Sequence, residues 1–167
     1  MRQAILTAIL TCCCFGCGSG QPSQSQQRSD IGRLPACFAE LEKLQVTAYR
    51  NQDWCKNMVY NRGKFSRNTE ATCNLFKGTP VPFDAQAQKD FDAVAQAVSR
   101  TQVALFFISD LEYRANGKLK KAVFHLAAGR YSYVYFPGYG APPPDIPREI
   151  KHTSLNPDWY YVWEDWN

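Results

Sequence analysis

Residues 102–136 read QVALFFISDLEYRANGKLKKAVFHLAAGRYSYVYF, and this stretch decides the fold. Leu105, Phe107, Ser109, Leu111 and Tyr113 alternate with Phe106, Ile108, Asp110, Glu112 and Arg114, the period of two that belongs to strands. Asn116-Gly117 follows, and a two-residue hairpin turn needs positive φ at both central positions, which this pair tolerates best. A turn there predicts Glu112 opposite Lys121, Leu111 opposite Ala122, Ser109 opposite Phe124 and Phe107 opposite Leu126. The apolar residues then share one face and an opposite-charge pair lies on the other. A second turn at Ala128-Gly129 predicts Tyr131 beside Leu126, Tyr133 beside Phe124 and Tyr135 beside Ala122, with His125 opposite Ser132 and Val123 opposite Val134 on the reverse face.

Downstream, Pro142, Pro143 and Pro144 lack amide donors and stop the sheet. Glu149 to Leu155 reads as a fourth strand. Trp159 to Trp166 reads as a strand from its aromatics, although Asn156-Pro157-Asp158 also resembles a helix start. Upstream, Asp84 is placed to cap a helix whose stripe is Ala87, Phe91, Val94, Ala95 and Val98, ending near Arg100 or Thr101. Leu34, Cys37, Phe38, Leu41, Leu44 and Ala48 recur at helical steps, with Pro35 in the first turn. This helix either runs on through Cys55, Met58 and Val59 or breaks near Asn51 to Asp53. Asn61 to Pro82 reads as a long connection with one helical turn near Thr69 to Leu75. The expected fold is α+β, with two or three helices on one face of an antiparallel sheet of three to five strands, made of the 102–136 meander plus carboxy-terminal strands.

The chain has 167 residues, 45% apolar and 20% charged, enough for a single core. Its net charge of +4 is spread along a chain of mixed sign, which gives no footprint for nucleic acid. Met1-Arg2 followed by the apolar run Ala4–Cys14 is the layout of an export signal, too short to cross a membrane permanently. Gly18 to Gln27 is then polar and flexible in composition. Gly16-Cys17 at the end of the apolar run resembles the type II signal of bacterial lipoproteins over residues 1–20, with Cys14 standing where Leu, Val or Ile is usual. The resemblance implies cleavage before Cys17, acylation of that cysteine and a membrane as partner. The alternative is a secretory signal cut near Gly18 or Gly20. The expected organisation is a signal at 1–16, a tether at 17–33 and one domain at 34–167.

Four of the seven cysteines, Cys12, Cys13, Cys14 and Cys17, fall within residues 1–20, leaving Cys37, Cys55 and Cys73. Export favours one disulfide and one free thiol, and a Cys55–Cys73 bridge would staple the long connection. Their spacing is not that of a zinc site, and no metal or other cofactor is expected. Neither a phosphate-binding Gly-rich loop nor a Gly-x-Ser-x-Gly elbow is present. The two histidines, His125 and His152, lie in separate strands, and a hydrolase would have to assemble them with Asp110 and Glu112 from distant positions. The basic residues Arg114, Lys118, Lys120, Lys121 and Arg130 gather at one end of the meander. The carboxy-terminal rings Tyr139, Trp159, Tyr160, Tyr161, Trp163 and Trp166 are the candidate contact surface of a non-enzymatic domain that binds a protein, peptide or envelope polymer. A hydrolase, or a thiol sensor using the unpaired cysteine, is the alternative.

Overall fold

The Asn116-Gly117 turn closes a hairpin between β4 (Leu105–Tyr113) and β5 (Leu119–Leu126), and β6 (Tyr131–Tyr135) returns along β5. The computed structural model describes residues 20–67, 73, 79 and 81–165. β5 and β6 pair in the register expected, from Ala122 with Tyr135 to His125 with Ser132. The β4–β5 register departs from expectation. Glu112 does face Lys121, but Ser109 faces Val123 and Phe107 faces His125. The register shifts between Ser109 and Glu112, where Asp110 has φ +50°, and again between Leu105 and Phe107. Each bulge adds a residue and reverses which side the chain presents. Ile108 and Leu111 therefore enter the core, while Phe107 and Ser109 lie on the opposite face.

The sheet is larger than the sequence suggests. Eight strands, all antiparallel to their neighbours, run in the order β3-β2-β1-β4-β5-β6-β8-β7, with β1 at Ala48–Gln52, β2 at Cys55–Tyr60, β3 at Gly63–Ser66, β7 at Ile150–Asn156 and β8 at Trp159–Glu164. This corrects the expected three to five strands under two or three helices: the described chain is mostly sheet, with one long helix, α3 (Ala85–Arg100), and the shorter α1 (Gln24–Arg33) and α2 (Phe38–Leu44). The added strands come from residues 48–66, expected as helix and connection. α2 stops at Gln45, which takes the left-handed conformation (φ 51°) and donates from Nε2 to the Gly117 carbonyl at 3.1 Å. Beyond it the chain makes two tight hairpins. Their alternation is hard to read because four polar residues, Arg50, Asn57, Lys64 and Ser66, are buried on the strands.

Residues 24–33, expected in the tether, form α1, whose Ser23 cap accepts from the Gln26 amide. The helix docks through the buried Ile31 and through Asp30, which accepts from the Tyr133 hydroxyl at 2.9 Å and pairs within the helix with Arg33 at 2.5 Å. No apolar stripe announces such a helix. In α3, the Asp84 carboxylate accepts from the Ala87 amide at 2.6 Å, and Phe91 and Val94 are buried. All three helices contribute to one core with Ile108, Phe124 and Tyr133 from the sheet. Cys55 and Cys73 form a disulfide, and the helical turn expected near Thr69 to Leu75 otherwise lies outside the described residues, as does the signal segment. No helix among the described residues is long and apolar enough to cross a membrane.

Candidate functional site

Strand alternation divides the carboxy-terminal rings between the two faces. Trp159 and Tyr161 point into the helix-covered core at 5% and 2% exposure, and the half-buried Trp163 packs against that core. Tyr160 is buried on the other face, its ring tilted against Tyr139 at 5.9 Å, and Tyr139 stacks on Phe136 at 4.9 Å. Trp159, Tyr160 and Tyr161 are therefore packed inside the protein, where little of their surface faces a partner. Tyr139 alone of the group is exposed, and Trp166 lies outside the described residues. The carboxy-terminal aromatics fill the space beneath α2: Phe38 stacks on Trp159 at 6.2 Å and meets Tyr135 at 4.8 Å.

The sheet's second face carries the less ordinary chemistry. Its small apolar cluster, centred on Val134, Tyr160 and Val162, contains no helical residue. One row across it runs Phe107, His125, Ser132, Val162, His152 through four successive strand pairs. The first bulge brings Phe107 onto this row, where its ring stacks on the His125 imidazole at 3.8 Å. Ser109 Oγ lies 2.9 Å from His125 Nε2, and Ser132 Oγ lies 3.0 Å from Nδ1. Burial pushes the His125 pKa below its ordinary value, against the opposing pull of Glu164 and Asp110. The ring is neutral at pH 7, so one nitrogen donates to a serine and the other accepts from one. His152, the other histidine, sits three strand spacings away, roughly 14 Å at ~4.8 Å per strand.

At the β1–β2 end of the same face, Arg50 is 2% exposed. Its guanidinium carbon lies 4.1 Å from the centre of the Phe106 ring, 4.6 Å from Trp54 and 5.6 Å from Phe107. Rings on several sides attract a cation through their quadrupoles. Nε and Nη1 nevertheless have no hydrogen-bond partner, and desolvation lowers the pKa of the group. Trp54 occupies the tip of the β1–β2 hairpin and is 47% exposed. No sequence periodicity marks Arg50; the nearest signal is its place beside Tyr49 in a stretch that reads equally as helix.

The remaining candidates separate. Glu112 pairs with Lys120 at 2.8 Å on the surface, and the exposed Asp110 accepts from the Ser109 hydroxyl at 3.3 Å, so neither carboxylate bonds a histidine directly. The basic cluster is largely neutralised: Lys118 pairs with Glu42 at 2.9 Å, Lys121 with Glu112 at 4.0 Å and Arg130 with Asp165 at 3.4 Å. Cys37 is fully buried, its thiol donates to the Leu34 carbonyl at 3.1 Å, and burial pushes its pKa up to about 12. That is the opposite of what a reactive thiolate requires. Among the described residues no group of three or more His, Cys, Asp or Glu side chains converges as metal ligands do. No protein family model, curated protein or solved structure matches this chain.

Proposed function

We propose that the protein is exported, tethered to a membrane through acylated Cys17, and acts there as a non-enzymatic binding domain for a protein, peptide or envelope polymer. Its contact surface is the second face of the sheet rather than the carboxy-terminal rings. The observation that carries it is Arg50, a buried cation among three aromatic rings on a face whose apolar cluster includes no helix. Polar groups buried without partners cost folding free energy and are retained where they do something else. The Cys55–Cys73 bond supports an oxidising compartment.

Two measurements test the two halves of the proposal. Intact mass of the protein from the membrane fraction of its host is expected to fit residues 17–167 plus acyl groups; an unacylated soluble form overturns the tether. Co-sedimentation with insoluble envelope polymer is expected for the wild type, and to weaken in Trp54→Ala but not in Tyr139→Ala. The reverse pattern overturns the choice of face.

A second reading, a serine hydrolase centred on Ser109, has one observation in its favour: the 2.9 Å contact to His125 Nε2 places a base on a hydroxyl. The group orienting the other nitrogen is the neutral Ser132 rather than a carboxylate, which gives no stabilisation to a developing imidazolium. Covalent labelling of Ser109 by a fluorophosphonate would favour this reading over binding alone.

A further inference from the structure

β1 and β4 join the two halves of the sheet at a single paired position, Tyr49 with Ile108, and β4 carries a bulge between Leu105 and Phe107 beside it. On α3, whose Phe91 packs on Tyr49, Ala95 and Ser99 lie one turn apart on one side of the helix, and both are small. The strands and the helix therefore leave a hollow of about 120 Å³ that is open to solvent. Its floor is Tyr49 and Ile108, both buried, and its walls include Val98, Leu105 and Phe106, all half-buried. Asn51 and Ser99 are exposed and stand at the mouth. None of the described residues lining it is charged, and it is reached from water without the movement of any side chain.

We propose that this pocket binds a neutral monocyclic phenol, the ring seated among Tyr49, Leu105 and Phe106 and the hydroxyl at Asn51 and Ser99. The inference goes beyond the binding reading above, adding a small-molecule site at the β1–β4 junction. Volume limits the ligand: an apolar cavity of roughly 150 Å³ takes up benzene, so a hollow of about 120 Å³ open at one end holds one ring and not two. The lining selects neutrality, since a carboxylate or ammonium set against Val98, Leu105 and Ile108 gives up its hydration with no opposite charge to meet it. Tyr49 and Phe106 offer a ring offset or edge contacts that an alkyl group does not make. The rim selects a hydroxyl: the Asn51 amide and the Ser99 hydroxyl each offer a donor and an acceptor, and a phenol O–H both donates and accepts.

The test is a titration of the full-length protein followed by proton–nitrogen NMR, with phenol as the probe and toluene, benzoate and N-acetyltyrosinamide as comparisons. Phenol is expected to shift the amides of Asn51, Ser99 and Ile108 and to bind about fivefold tighter than toluene, the worth of one net hydrogen bond. Benzoate is expected to bind at least about tenfold more weakly than phenol. Ala95→Phe fills the hollow and is expected to abolish phenol binding. Asn51→Leu, at an exposed position, is expected to fold, to keep toluene binding and to lose the preference for phenol; it decides the matter if the Ala95 variant does not fold. Shifts confined to the surroundings of Trp54 and Arg50, equal binding of benzoate, phenol binding unchanged in both variants, or no saturable shift with phenol overturns the proposal. Tighter binding of N-acetyltyrosinamide than of phenol overturns the free ligand in favour of a tyrosine side chain of a peptide.

Discussion

Replacing both Cys55 and Cys73 by Ala removes a cross-link that closes a loop of 18 residues. In the chain-entropy model a loop of this length contributes about 3 kcal/mol, because the open denatured chain gains the conformations that the bridge forbids. For a chain of this size each kcal/mol moves the melting temperature by roughly 2–4 °C, so the double variant is expected to melt about 6–12 °C lower. The bridge also holds the Cys73 carbonyl against Asn57, so the loss is not smaller than the entropic figure unless the native bridge is unfavourable in itself. Thermal unfolding followed by circular dichroism, with and without a phosphine reductant, measures it. The reductant should bring the wild type to the variant's midpoint and leave the variant unchanged. A double variant melting within 2 °C of the oxidised wild type would refute the assignment of the bridge as the staple of this region.

Three further outcomes follow from named groups. Because burial lowers the His125 pKa, the unfolded chain takes up its proton first; the contribution is complete above about pH 6.5 and is lost as the pH falls toward the native value. Chemical denaturation between pH 7.5 and pH 5 should show that loss, and His125→Gln should reduce the slope. Asp110 sits at φ +50°, where a β-branched residue is strained; Asp110→Val should cost about 1–2 kcal/mol in urea unfolding while Asp110→Gly costs less than 1. Cys37 should resist thiol reagents in the native protein and titrate as a single thiol once guanidinium unfolds it, and rapid native labelling contradicts its burial.

Much of the central meander was legible because apolar alternation, a tight turn and charge pairing agree there. The β5–β6 register follows from them, whereas the β4 register does not, since a bulge at Asp110 leaves no mark in composition and reverses the sides of Phe107 and Ser109. The helix over 85–100 was readable from its cap and stripe. The β1–β3 hairpins were hidden: their strands bury Arg50 and Asn57, their turns lack Asn-Gly or Asp-Gly, and helical spacing from α2 continues into them by coincidence. The same polar burial hides the candidate site. A period-two count treats Arg50 as an outward residue, and only the three-dimensional position of Trp54, Phe106 and Phe107 shows it enclosed. The carboxy-terminal rings misled for the opposite reason, because a wide sheet needs many large side chains to fill its helix-covered face.

Contact through the second face of the sheet, at the β1–β2 end, is directly measurable. Hydroxyl-radical footprinting of the full-length protein, free and mixed with envelope polymer, reads side-chain protection residue by residue. Protection of Trp54 and Phe106 is expected, with Tyr139 and Ile146 unchanged. Protection of Tyr139 with Trp54 fully reactive would contradict it.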